Sequence, residues 1–189
     1  MFQVRIHGRG GQGVVTAAEL LAQSAFDEKR FAQAFPSFGS ERTGAPVVAF
    51  CRIADFEIRV REPIMFPDAI IIQDSTLIKQ VDLFAGLKND GYALINSTRT
   101  FEQLGIAEFA DLNPRFITVP ATAMAMEHLG RPVPNAVLLG AFAALTQVVS
   151  LHSVTDAINE KFKPKVAAGN CAAATAAYEY VLAMVSANA

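Results

Sequence analysis

Six consecutive residues near the start of the sequence, Gly8-Arg9-Gly10-Gly11-Gln12-Gly13, hold its densest chemical signal. Glycines at this density let the backbone take positive φ and come close to a ligand, so that amide N–H groups and a helix N-terminus can hold a phosphate. The spacing satisfies G-x-G-x-x-G, which has physical meaning only between a strand and a helix. Arg9 adds a cation, and Gln12 a side chain that both donates and accepts hydrogen bonds. A tight, closely packed strand-to-helix turn is the competing reading. A dinucleotide site needs an acid about 20 residues further on, at the tip of the second strand, to hold the ribose hydroxyls. Asp27 and Glu28 precede that strand, and its end reads Gln33-Ala34-Phe35. A phosphate-bearing ligand of another kind, or a phosphate-bearing group presented by a partner, suits the loop better.

A second concentrated segment follows, with Phe38-Gly39-Ser40-Glu41-Arg42-Thr43 at its centre and Pro36, Gly44 and Pro46 around it. Prolines and glycines on both sides are what a positioned functional loop needs. Glu41-Arg42 equally reads as a solvated ion pair of small energetic value. Cys51 and Cys171 are too few for a [4Fe–4S] cluster and read as buried, unreactive thiols. His7, His128 and His152 have no partners at metal-ligand spacing, and no Ser/His/Asp or HExxH pattern accompanies them, so each reads as structural or solvent-facing. Asn170, directly after Gly169, reads as a helix N-cap.

Alternating strands and helices must position these loops. Strands are expected at Phe2–Ile6, Phe31–Phe35, Pro46–Ile53, Phe56–Val60, Ala69–Ile72, Tyr92–Asn96 and Phe116–Val119. Helical periodicity covers Val14–Phe26, Ser75–Phe84, Ala121–Leu129, Asn135–Val149, Val154–Lys161 and Ala167–Val185. Ala54-Asp55 would join two of the strands as a hairpin. The alternation predicts an α/β fold: a three-layer sandwich with a mixed, mainly parallel sheet and a helical C-terminal third, in a single domain over 1–189.

The 189 residues are 52% hydrophobic and 18% charged, which excludes a disordered composition. A net charge of -2 gives no electrostatic footprint for nucleic acid or an anionic membrane. The first residues lack a basic n-region followed by an apolar h-region. The most apolar stretch, Ala136–Leu151, falls short of the ~20 residues of a membrane span. The expected location is the cytoplasm. A mean hydropathy of +0.29 points to apolar surface buried against another subunit.

Together the two loops resemble the gamma subunit of the 2-oxoacid oxidoreductases that reduce ferredoxin or another acceptor. In that family a GRGGQG-type loop and helix precede an FG-x-ER-x-GAPV segment, here Gly8–Gly13 and Phe38–Val47. Further matches are Asp68-Ala69-Ile70-Ile71, Leu94-Ile95-Asn96 and Asn135-Ala136-Val137-Leu138-Leu139-Gly140, so the resemblance covers nearly the whole chain. It departs at Ser40, where Pro is commoner, and at Thr43, where Arg is commoner and whose cation is missing here.

The resemblance implies a subunit, inactive alone, of an enzyme that oxidatively decarboxylates a 2-oxo acid with thiamine diphosphate and Mg. Electrons would pass through [4Fe–4S] clusters to ferredoxin or NAD, and the acyl group usually to coenzyme A. Alpha, beta and cluster-carrying partner subunits would hold these cofactors. The GDG…N pattern of a thiamine site has no nearer counterpart here than Asn89-Asp90-Gly91. By resemblance Gly8–Gly13 lies near the coenzyme A phosphates. Phe38, Gly39, Ser40, Glu41, Arg42 and Thr43 then form an active-site loop over the same region, with Arg42 as a second cation. The alternatives are a stand-alone nucleotide-binding module or NAD-dependent reductase, and an assembly protein in which the glycine loop is a packing turn.

Overall fold

The structure is a computed structural model that describes residues 1–37, 43–110, 113 and 115–187. Six strands form one sheet: β1 (Phe2–Arg9), β2 (Phe31–Pro36), β3 (Pro46–Ala54), β4 (Ala69–Ile72), β5 (Tyr92–Asn96) and β6 (Phe116–Val119). Their order is β2-β3-β1-β4-β5-β6. The pairings β1–β4, β4–β5 and β5–β6 are parallel, whereas β3 runs antiparallel to both neighbours, β1 and β2. The mixed, mainly parallel sheet read from the sequence is the one observed.

Strand alternation decides which side chains meet which layer. Val4 and Ile6 of β1, Cys51 and Ile53 of β3 and Ala69 and Ile71 of β4 face a thick helical layer. That layer contains α1 (Val14–Asp27), α4 (Ala121–Leu129), α5 (Asn135–Thr146), α6 (Leu151–Lys161) and α7 (Pro164–Ala187). The other face of β4–β6 packs Ile70, Ile72 and Ile95 beneath a 3-10 turn (Ser75–Lys79) and the short helices α2 (Phe101–Leu104) and α3 (Ala107–Ala110). Helix α5 is buried continuously from Asn135 to Ala144, as an element covered on all sides must be. No helix among the described residues is long and apolar enough to cross a membrane.

Several expectations shift, among them α5, which ends at Thr146 rather than Val149, and α6, which starts at Leu151 rather than Val154. Phe56–Val60 is not a strand, and the hairpin at Ala54-Asp55 does not form. The physical reason is that β1 and β2 already occupy both edges of β3, so a further partner has no backbone groups left to pair with. The segment expected as a helix over Ser75–Phe84 ends as a 3-10 turn at Lys79. Beyond it, Arg5 Nη2 donates to the carbonyls of Leu83 and Ala85 at 2.8 and 2.7 Å, holding them outside any helical ladder. The last helix starts at Pro164 rather than Ala167, with proline at the first helical position where its missing N–H costs nothing.

Candidate functional site

The glycine loop leaves the C-terminal end of β1 and enters α1 directly. A Cβ on Gly8 would lie 2.6 Å from Val14 Cγ2, so only glycine lets strand and helix approach this closely. Gly11 and Gly13 take φ of 93° and 72°, the left-handed region that favours glycine. Gly13 is the N-cap of α1 and offers no side-chain cap, which leaves the first-turn amides of the helix to a ligand or solvent. From β1 the chain crosses to the β2–β3 side of the sheet, while β4 leads on to β5 and β6. The ends of β1 and β4 therefore bound the crevice in which open α/β sheets bind ligands.

Asp74, two residues beyond β4, ties this crevice together. Its Oδ2 accepts from Arg9 Nε at 3.1 Å and Gln12 Nε2 at 3.0 Å, and its Oδ1 from the Thr76 hydroxyl at 2.6 Å and the Thr76 N–H at 3.0 Å. Burial works to raise the Asp74 pKa. The bonds from Thr76 and Gln12, together with the Arg9 charge, outweigh it and hold the carboxyl below its ordinary value. Gln12 Oε1 also accepts the Arg9 N–H at 2.8 Å, and Arg9 donates further to Gly44 O, Thr76 Oγ1 and Gln80 Oε1. The side chains of Arg9 and Gln12 thus brace the loop. The amides of Arg9, Gly10 and Gln12 are spent inside it, on Gln12 Oε1, Ala45 O and Arg9 O, which leaves those of Gly11 and Gly13 and of the first turn of α1 for a ligand.

Beside the loop opens a cleft of about 430 Å³. Gly11 and Gly13 line it from the glycine loop, Thr16 from α1, Asn135 from the start of α5, and Lys165, Val166 and Asn170 from α7, with His128 and Arg131 from the end of α4 and the turn after it. Three helices thus present their N-terminal turns to one space. Arg131 and Lys165 form no ion pair among the described residues, and no carboxylate lines the cleft. Asn135 is 4% exposed, its Oδ1 takes the Ala136 N–H, and its amide stands where a Cβ on Gly13 would be, at 2.5 Å. Positive helix ends, two free cations and inward amides make a site for a multiply charged anion.

Residues 3–180 match the family model described as pyruvate ferredoxin/flavodoxin oxidoreductase. The chain belongs to that family. Pyruvate synthase subunit PorC of Methanothermobacter marburgensis is 48% identical over 95% of this chain and 97% of the relative. The pyruvate/ketoisovalerate oxidoreductases common subunit gamma of Thermococcus litoralis is 43% identical over 95% of this chain and 96% of the relative. The crystal structure of pyruvate oxidoreductase subunit PORC from Thermotoga maritima matches with a TM-score of 0.80 and 34% identity, over 94% of this chain and 95% of that one. Within the pyruvate ferredoxin/flavodoxin oxidoreductase family, the chain is a gamma subunit.

In this family member Gly8 is buried where β1 meets α1, and Arg9–Gly13 lie at the crevice. Phe38, Gly39, Ser40, Glu41 and Arg42 lie outside the described residues. Thr43 is exposed and bridges in parallel to Gly10, which brings the end of the second loop against the first. Asn170 is not an N-cap: it lies inside α7, where its Nδ2 donates to Val166 O at 2.9 Å. Cys51 is buried, and burial pushes its thiol up to about 12. Cys171 is only half-buried, near Thr155 O and Asn159 Oδ1.

Asp74, Thr16, Arg131 and Lys165 escaped the sequence reading. Each had a faint signal: an acid just past the apolar run Ala69–Ile72, a polar first-turn residue after the glycines, and cations beside Pro132 and Pro164. A nicotinamide dinucleotide is disfavoured on the same geometry. β3 stands between β1 and β2, so the tip of β2 is removed from the glycine loop by one strand.

Proposed function

We propose that the chain completes the active site of a 2-oxoacid oxidoreductase assembly and supplies its coenzyme A cleft. The observation that carries this reading is the acid-free cleft in which Arg131, Lys165 and the starts of α1, α5 and α7 surround the glycine loop. Coenzyme A is a phosphate-rich ligand, and the resemblance to gamma subunits associates the loop with it. Amides of Gly11, Gly13 and the first turn of α1 would take phosphate oxygens, Arg131 and Lys165 would neutralise the remaining charge, and Asn135 and Asn170 would floor the site. Thiamine diphosphate, Mg and [4Fe–4S] clusters, which supply decarboxylation and electron transfer, belong in this reading to alpha, beta and cluster-carrying partners. The chain's own share is to bind the acyl acceptor, orient it and exclude water from the shared site. Phe56, Val60, Met65 and Phe66, exposed on the connection between β3 and β4, support a chain that works within an assembly. The Thermococcus litoralis relative is named as common to pyruvate and ketoisovalerate oxidoreductases, which supports leaving the choice of 2-oxo acid to the partners.

The test is steady-state kinetics of the assembled complex carrying Arg131→Gln and Lys165→Gln. KM for coenzyme A should rise about tenfold or more, with kcat and the KM for the 2-oxo acid little changed. An unchanged KM for coenzyme A, or a rise confined to the 2-oxo acid, would overturn the assignment.

A further inference from the structure

A second cleft, of about 340 Å³, shares no lining residue with the first. It lies beyond the C-terminal ends of β4, β5 and β6, against the start of α4, and is lined by Gln12, Gln73, Asp74, Asn96, Arg99 and Thr122 among others. Gln73 is its unusual member. The residue is 1% exposed, yet neither Nε2 nor Oε1 of its side chain has a hydrogen-bond partner among the described residues. Its backbone is fully engaged, donating to His7 O at 2.8 Å and accepting from Asn96 Nδ2 at 2.8 Å. A buried primary amide left wholly unpaired is costly and calls for a partner from outside the chain.

The other groups of the cleft say what that partner is. Asp74, its one carboxylate, is already held by Arg9, Gln12 and Thr76. Asn96 is also engaged, its Oδ1 taking the Thr122 N–H at 3.1 Å and its Nδ2 donating to Thr122 Oγ1. Helix α4 is nine residues long, and its N-cap, Pro120, offers no side chain; Asn96 takes only the Thr122 N–H, so the rest of the first turn presents its positive end to the cleft. Arg99 is exposed on the rim and forms no ion pair among the described residues. A carboxylate would satisfy the helix end, Arg99 and Gln73 Nε2, but it has no hydrogen to give Gln73 Oε1. A phosphate group, with its second pKa near 6, keeps an O–H for that acceptor at slightly acid pH and oxygens for every donor.

We propose that this cleft is a phosphate-binding site separate from the coenzyme A cleft, with Gln73 as its buried reader and Arg99 as its cation. It stands independently of the coenzyme A reading, because it uses different residues and a different probe. The experiment fills the first cleft of the full chain with coenzyme A and then titrates inorganic phosphate at pH 6.5, followed by 31P NMR, beside Gln73→Met, Arg99→Gln and Lys165→Gln. Phosphate should bind the unaltered chain, and each of the first two changes should weaken it about tenfold, while Lys165→Gln leaves it unchanged. Sulfate, which has no O–H to offer, should bind several-fold more weakly than phosphate. Gln73→Met should keep or raise Tm, since it removes an unpaired buried amide; a purely structural glutamine would instead lose stability and leave phosphate binding alone. Saturating coenzyme A should leave phosphate bound. Absence of phosphate binding, loss of binding in Lys165→Gln alone, equal affinity in Gln73→Met, or displacement by coenzyme A would each overturn the proposal.

Discussion

His7 lies on β1 just before the glycine loop, 5% exposed, with Nε2 unpartnered among the described residues. Burial, and then the charge of Arg5, pushes its pKa down to about 4. In the unfolded chain a histidine takes up its proton near 6.5. Between those values the unfolded state holds the extra proton, so stability is complete above about pH 6.5 and falls as the pH drops, by roughly 3 kcal/mol at pH 4. Urea midpoints at pH 7 and pH 4.5 should therefore differ more for the unaltered chain than for His7→Gln. Asp74 acts lower on the scale. Its pKa lies below the ordinary value, so its contribution is present above about pH 4 and lost as pH falls through the folded value. Asp74→Asn should cost about 1–2 kcal/mol at pH 7, with a gap that narrows in denaturant titrations as the pH falls through the folded value. The glycine loop was legible because its six residues are contiguous. Asp74 was not, because its bonds to Arg9 and Gln12 span 65 and 62 positions and exist only once β4 lies beside β1.

Elements whose signals are local were legible in the sequence, and those settled by competition were not. Helix α4 occupies the expected Ala121–Leu129, and β4, β5 and β6 stand at their expected bounds. Phe56–Val60 carries strand-like residues, but β3, the strand it follows, has no free edge for it to join, a fact that belongs to β3 and not to the segment itself. Close helix contact is equally invisible without the fold. A Cβ on Gly140 of α5 would lie 1.9 Å from the Ala174 carbonyl oxygen of α7, so Gly140→Ala must push two helices apart. We expect it to cost about 3 kcal/mol in thermal or urea unfolding. Gly105→Ala, at φ 75° with open space around it, should cost only about 1 kcal/mol of backbone strain.

At the scale of the whole molecule, one sheet serves both cores, since alternate residues of β4 face the large helical layer and the smaller one. The two layers should therefore melt together. Scanning calorimetry should show one cooperative transition with a heat-capacity change of about 2.5 kcal/mol/K, and two separable transitions would refute a single domain over 1–189. The alternation of strands and helices made the fold class legible, but not the strand order, because both neighbours of β1 come much later in the chain. That order has a consequence for biosynthesis. β1 leaves the ribosome first, yet its edges wait for residues 46–54 on one side and 69–72 on the other. Until β4 emerges, an apolar strand and the apolar face of α1 have no completed sheet to settle on, the condition in which nascent chains are most exposed to aggregation. Slowing synthesis once β4 has cleared the ribosome, so that both partners of β1 are outside, should help this chain fold, whereas a pause that leaves β3 still inside should harm it.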